Sequence, residues 1–157
     1  MDDVPLFYSI YITGVPYIFD DLGAESEEFS AVQEYVDQIR SLINDGVQLG
    51  LKKEEIKNDQ PTSTRLLVGR VIGLLSIIKN YIKWMEHPIH INEFKDKYGH
   101  IYLQARSSIK DEKNKTQWVN AYVGSLKEYP KGIEDFEAIK KGKFLMRKKL
   151  KKYFNIP

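Results

Sequence analysis

No cysteine occurs among the 157 residues, which excludes a disulfide framework, thiolate metal sites and thiol catalysis. Alanine and arginine are scarce, five of each against 19 lysines. We read that bias as the mark of an AT-rich genome, so lysine number alone carries little weight. Long apolar runs are missing as well. The best stretch, Val71 to Ile78, includes Ser76 and lies between Arg70 and Lys79, well short of the ~18 residues a membrane span needs. No membrane partner is expected. The chain opens on Asp2 and Asp3, where a secretory leader carries positive charge, so a cytoplasmic location is the expectation. Glycine-rich phosphate loops and nucleophile elbows are lacking too.

The charge that is present is unevenly placed. Residues 1–46 hold ten acids and one base, Arg40, for −9; with a net charge of +2, residues 47–157 carry +11. Such asymmetry favours a polyanionic partner, or else mutual attraction of the two parts within one molecule or across a dimer. The apolar content of 42% with 29% charged residues is that of a folded globular chain. We expect one domain over 1–157, with an acidic strand–helix part (1–63) and a basic helix–meander–helix part (64–157).

The stretch Thr64 to Glu86 organises the rest. On a helix, Leu66, Leu67, Val71, Leu74, Leu75, Ile77, Ile78, Tyr81, Ile82, Trp84 and Met85 cover far more than the ~100° stripe of a surface helix, so several elements must surround it. Arg70 falls inside this arc, and a buried charge there calls for a carboxylate partner. Gly69 and Gly73 make a narrow side suited to close helix approach, by a second copy or by this chain's acidic helix.

Ahead of it, Leu6 to Thr13 is rich in Phe, Tyr and Ile and reads as a strand. A turn follows at Gly14–Pro16, then an extended piece at Tyr17–Phe19. Ser26 to Asp45 reads as an amphipathic helix with an acidic outer face, capped by Ser26 and stopped by Gly46. Between 47 and 64 we expect a connection with one short helix over Lys52–Lys57, and Thr62 or Ser63 as the cap of the central helix. Beyond Pro88 the period becomes two. Ile89–Lys95, Ile101–Ile109 and Thr116–Gly124 read as an antiparallel meander. A last helix runs from Ile133 to Phe154 with Ile133, Phe136, Ile139, Met146, Leu150 and Phe154 inward, and Gly142 weakens or bends it. The expected fold is α+β: a central buried helix with an acidic amphipathic helix, a three-stranded antiparallel meander and a basic C-terminal helix.

Alternation along the two long strands collects Tyr102, Gln104, Arg106 and Ser108 with Trp118, Asn120 and Tyr122 on one side. Aromatics stack on bases, amides pair with base edges, and arginine reaches guanine or phosphate. The same residue types grip proteins, or pack beneath a helix of their own domain. Downstream, Lys140, Lys141, Lys143, Arg147, Lys148, Lys149, Lys151 and Lys152 follow the last acid, Glu137. On a helix they form a stripe able to neutralise phosphates, or a solvated face favoured by the helix dipole.

From the central helix on, the order helix, three strands, helix resembles that of double-stranded-RNA-binding domains. Their basic cluster opens the last helix, where this chain has Glu134, Asp135 and Glu137, so the resemblance is one of order alone. Residues 89–154 are likewise similar in order to the sheet-reading DNA-binding domains of some integrases and plant regulators, which implies a DNA contact through the sheet. Catalysis finds little footing. His87 and His90 form an HxxH near Glu86, Glu93 and His100, but an extended HxxH points its rings apart and a metal needs three converging ligands. Glu93-Phe94-Lys95 lacks the partner aspartate of a metal nuclease. No enzyme, metal or cofactor is expected. The leading expectation is a non-catalytic nucleic-acid-binding accessory protein that uses Tyr102, Gln104, Arg106, Trp118, Asn120, Tyr122, Arg147, Lys148, Lys149, Lys151 and Lys152. Its alternative is a protein-interaction module, an adaptor or inhibitor, with a homodimer open.

Overall fold

The computed structural model of the chain describes residues 3–23, 25–52 and 60–157. They form two compact units, Met1–Met85 and Glu86–Pro157. The first is helical: α1 (Asp3–Thr13), a 3₁₀ turn at Tyr17–Leu22, α2 (Glu27–Lys52) and α3 (Gln60–Glu86). Leu6–Thr13 is therefore not the strand its composition suggests. On a strand, Leu6, Tyr8, Ile10 and Ile12 would share one face. Instead Leu6 and Ile10, four apart, are buried while Tyr8 and Ile12 are exposed, so packing of a helical stripe overrides β propensity. Gly14, at φ +91°, ends the helix with its N–H on Ile10 O at 3.0 Å. The piece expected to be extended at Tyr17–Phe19 winds into the 3₁₀ turn and buries Phe19.

Ser26 caps α2 as expected, accepting from the Phe29 N–H at 3.1 Å, and Val32, Val36 and Ile39 are buried. Gly46 does not stop this helix, which runs on to Lys52; glycine inside a helix costs only about 1 kcal/mol. The short helix expected over Lys52–Lys57 lies, beyond Lys52, outside the described residues. The central helix begins at Gln60, ahead of the expected Thr62 or Ser63 cap, with Pro61 in the first turn, where its missing N–H is no loss.

Burial along α3 is uneven. Leu75, Ile78, Tyr81, Ile82, Trp84 and Met85 are buried, whereas Leu66 and Ile77, expected inside, are exposed along with Val68 and Ile72. Arg70 is exposed too, so its charge stays in water and needs no buried counter-ion. A Cβ added at Gly69 or Gly73 would meet nothing within 4 Å, so α2 does not occupy that narrow side. In the buried half, burial, together with Tyr35 and Glu28, pushes the Tyr81 hydroxyl up to about 12.

The second unit is the meander and its helix: β1 (His90–Lys95), β2 (Ile101–Lys110) and β3 (Thr116–Ser125) in the order β1-β2-β3, then α4 (Phe136–Leu150) and a 3₁₀ turn at Lys151–Phe154. The strand limits fall within one residue of those read from the sequence. Both hairpin loops are built alike. In the first, Asp96 Oδ1 accepts from the N–H groups of Tyr98 and His100, each at 2.9 Å. In the second, Asp111 Oδ1 accepts from Lys113 and Lys115, each at 2.9 Å. The fourth loop residue is left-handed in each, Gly99 at φ +85° and Asn114 at φ +60°.

One face of the sheet buries Leu103, Ala105, Ser107, Ile109, Ala121 and Val123. Ser107 keeps its hydroxyl satisfied by donating to Pro88 O at 2.8 Å. The register shifts between Leu103↔Gly124 and Gln104↔Tyr122, so Val123 is an extra residue, a β-bulge. Helix α4 covers this face. Asp135 caps it, accepting from Glu137 N at 3.0 Å and Ala138 N at 3.3 Å. Ala138, Gly142, Met146 and Leu150 are its buried residues. The helix runs unbroken through Gly142, and Gly142 is a point of close approach between helix and sheet. A Cβ there would run into Ile91 Cδ1 and come within 3.2 Å of Val123 Cγ2. That seat turns Ile133 and Phe136, expected inside, outward, and Phe136 is 73% exposed.

Candidate nucleic-acid interface

Because α4 covers one side of the sheet, the residues of opposite parity stand on the other. Trp118 is 53% and Tyr122 55% exposed, so among the described residues of this unit none seals the aromatic face. Arg106, half-buried, lays its guanidinium 4.3 Å from the centre of the Trp118 ring and donates from Nε to Asn120 Oδ1 at 2.9 Å. Register accounts for both contacts, since Arg106 pairs with Asn120 and the neighbouring Ser108 with Trp118. Gln104 pairs with Tyr122 and is half-buried.

Toward the first hairpin the face is a chain of rings. Phe94 stacks on Tyr102 at 5.4 Å, and Tyr102 meets Tyr122 at 5.9 Å. Burial, with help from Asp96 and Tyr122, holds the Tyr102 hydroxyl above its ordinary value. Burial raises the Asp96 carboxyl too, but the amides of His100 and Tyr98, and the His100 ring at 3.2 Å, outweigh it and hold the group below the usual range. Asp96 thus contributes to the loop while ionised, and that contribution fades as pH falls through its lowered folded value. We expect the amide resonances of Tyr98 and His100 to move together at acid pH and to be displaced already at neutral pH in Asp96→Asn; if the variant's amides match wild type, Asp96 does not pin the loop.

The basic residues meet this face at one edge. α4 lies behind the sheet, and its end and the following turn come up alongside β3. Lys149 Nζ donates to Asn120 O at 2.6 Å. An open cleft of about 660 Å³ lies there, lined by Trp118, Val119 and Asn120 of β3 and by Lys148, Lys149, Lys151 and Lys152. Tyr153, Ile156 and Pro157 complete it, and no acidic side chain lines it. Lys148 lies over the Phe144 ring at 4.4 Å and Lys152 over the Tyr153 ring at 5.1 Å, contacts that hold two of the ammonium groups in place.

Of the residues singled out from the sequence, Trp118, Asn120 and these four lysines come together in the cleft. Tyr102, Gln104, Arg106 and Tyr122 stand beside it on the sheet. Arg147 does not join them: it is half-buried, and its Nη1 donates to His87 O at 2.9 Å, tying α4 to the entry of β1. Phe94 and Tyr153 belong to the surface although sequence reasoning passed over them. Phe94 was within reach, since its alternation matches Tyr102 once the Asp96 loop sets the register. His87 is held by Ser108 O at 2.8 Å and His100 by Asp96. Among the described residues no group of three His, Cys, Asp or Glu can hold a metal, and no helix is long and apolar enough to cross a membrane. Comparison with protein-family models, curated proteins and solved structures returned no match.

Proposed function

We propose that Glu86–Pro157 is a non-catalytic nucleic-acid-binding module of a cytoplasmic accessory protein. Trp118, Tyr102 and Tyr122 supply the base-contacting rings of a face that Gln104, Arg106 and Asn120 share, and Lys148, Lys149, Lys151 and Lys152 take phosphates. The observation that carries this reading is the cleft at the β3 edge, which four lysines and an exposed indole line together and, among the described residues, no acidic side chain joins. A polyanion with flat apolar faces complements such a wall on both counts. Four ionic contacts to a single strand imply a salt slope of about −2.8, hence roughly a 50-fold loss of affinity between about 50 and 200 mM salt. Binding measured by anisotropy across that range tests it; affinity that stays flat with salt rules out the phosphate role of the lysines.

A second reading, an adaptor or inhibitor held by protein contacts, has one observation in its favour. The first half of α3 exposes Leu66, Val68 and Ile72 beside the open Gly69 and Gly73, and apolar side chains grouped in this way suit a protein partner, a second copy included. Such binding would tolerate charge reversal of the C-terminal lysines.

A further inference from the structure

We propose that the ligand of this module is single-stranded, with an unpaired base stacked on Trp118 in the cleft and its phosphates on the lysine wall. The inference rests on the nucleic-acid reading above and narrows it to one class of ligand. It starts from the indole. Arg106 lies over the ring at 4.3 Å, while the indole still lines the cleft and is 53% exposed. Arg106 is itself fixed by Asn120, which leaves the indole a platform set before any ligand arrives. Preorganised aromatic surface of this kind loses little freedom on binding.

Duplex recognition needs a different arrangement. Base pairs stacked in a helix hide their faces and offer only edges in the grooves, to be read by amide and guanidinium groups. Here the two best edge readers, Arg106 and Asn120, are engaged with one another. What remains open is ring surface: Trp118 and, further along the same face, Tyr122 against Tyr102 at 5.9 Å. Only unstacked bases use such surface, and every base has a face to offer, so the binding is tolerant of sequence. The hollow of about 660 Å³ is open to solvent, so a base lying on the indole stays continuous with the strand that carries it.

The test compares labelled oligo-dT of about 12 nucleotides with a duplex of equal length, on the full chain at low salt. We expect the single strand to bind at least roughly ten-fold more tightly. Trp118→Ala should weaken single-strand binding by roughly 5- to 150-fold, the measured span for loss of one stacked base. Trp118→Phe should recover much of that loss, because a smaller ring still stacks. Trp118 is half exposed, so both variants are expected to fold; circular dichroism and a melting curve check it. Equal or tighter binding of the duplex, or a Trp118→Ala variant that binds single strands like wild type, overturns the single-strand inference and leaves the nucleic-acid reading standing. Failure of wild type to bind either oligonucleotide overturns both.

Discussion

Replacing Lys148, Lys149 and Lys152 together by glutamate is expected to lower affinity for a single strand by roughly 500-fold at about 50 mM salt, counting only the lost counter-ion release. Each phosphate neutralised on a single strand contributes about 0.7 to the logarithmic salt slope, so three lost contacts remove about 2.1 of it. Repulsion from the new carboxylates adds to the loss. Wild type and variant should converge toward about 1 M salt, where release of counter-ions gains nothing. That convergence separates an electrostatic effect from a damaged fold. All three side chains are exposed, and the substitutions give up the bond from Lys149 to Asn120 O together with the ring contacts of Lys148 and Lys152. A variant that retains wild-type affinity at low salt would remove the lysine wall from the binding surface altogether.

Gly142→Val is expected to destabilise the second unit by about 3 kcal/mol, at the upper end of the usual range for overpacking. The Ile91 Cδ1 that a Cβ would strike can rotate away. Val123 Cγ2 at 3.2 Å must give by a few tenths of an ångström even for alanine, and Ala105 Cβ at 3.4 Å is in ordinary contact; both residues are fully buried in the sheet, which leaves little room for the two further methyls of valine. A β-branched side chain therefore forces α4 off its seat. Gly142→Ala should cost much less, since the helix gains about 1 kcal/mol from alanine over glycine against one added methyl. Thermal or denaturant melting of both variants gives the comparison. Equal stability of Gly142→Val and wild type would mean that helix and sheet are not in the close contact described. Ligand affinity should fall with the seat, because the same packing determines where the lysines emerge beside β3.

The parts of the fold differ in how far they can be read from the sequence, and the reason is local in some and tertiary in others. The meander was legible almost to the residue. Asp96 and Asp111 close their loops through local hydrogen bonds, and strict alternation does the rest. Helix α1 was not, because its aromatic and β-branched residues favour a strand while the deciding contacts, those of Leu6 and Ile10, are tertiary. In α3 the sequence is apolar nearly all round, and nothing in such a pattern tells which side chains stay uncovered, so it places Leu66 and Ile77 inside although both are exposed. The sheet face was legible because parity alone gathers Arg106, Trp118 and Asn120. The cleft was not. It depends on where the end of α4 passes the sheet, which Ala138 and Gly142 decide by being small, and Phe136, the largest candidate for that seat, ended up in solvent. Arg147 looked like one more cation of the stripe until its bond to His87 O placed it inward.

The paired build of the two hairpin loops has a consequence for the whole surface. β2 is anchored at both of its ends by an aspartate acting on backbone amides within a few residues of itself, so its alignment with each neighbour is determined locally and twice over. Were either strand to slide by a single position, every side chain on it would change sides: the indole would be driven inward under the helix and the small packing residues thrust into water. The open set of rings can rest on only three strands because the two corners fix how they line up.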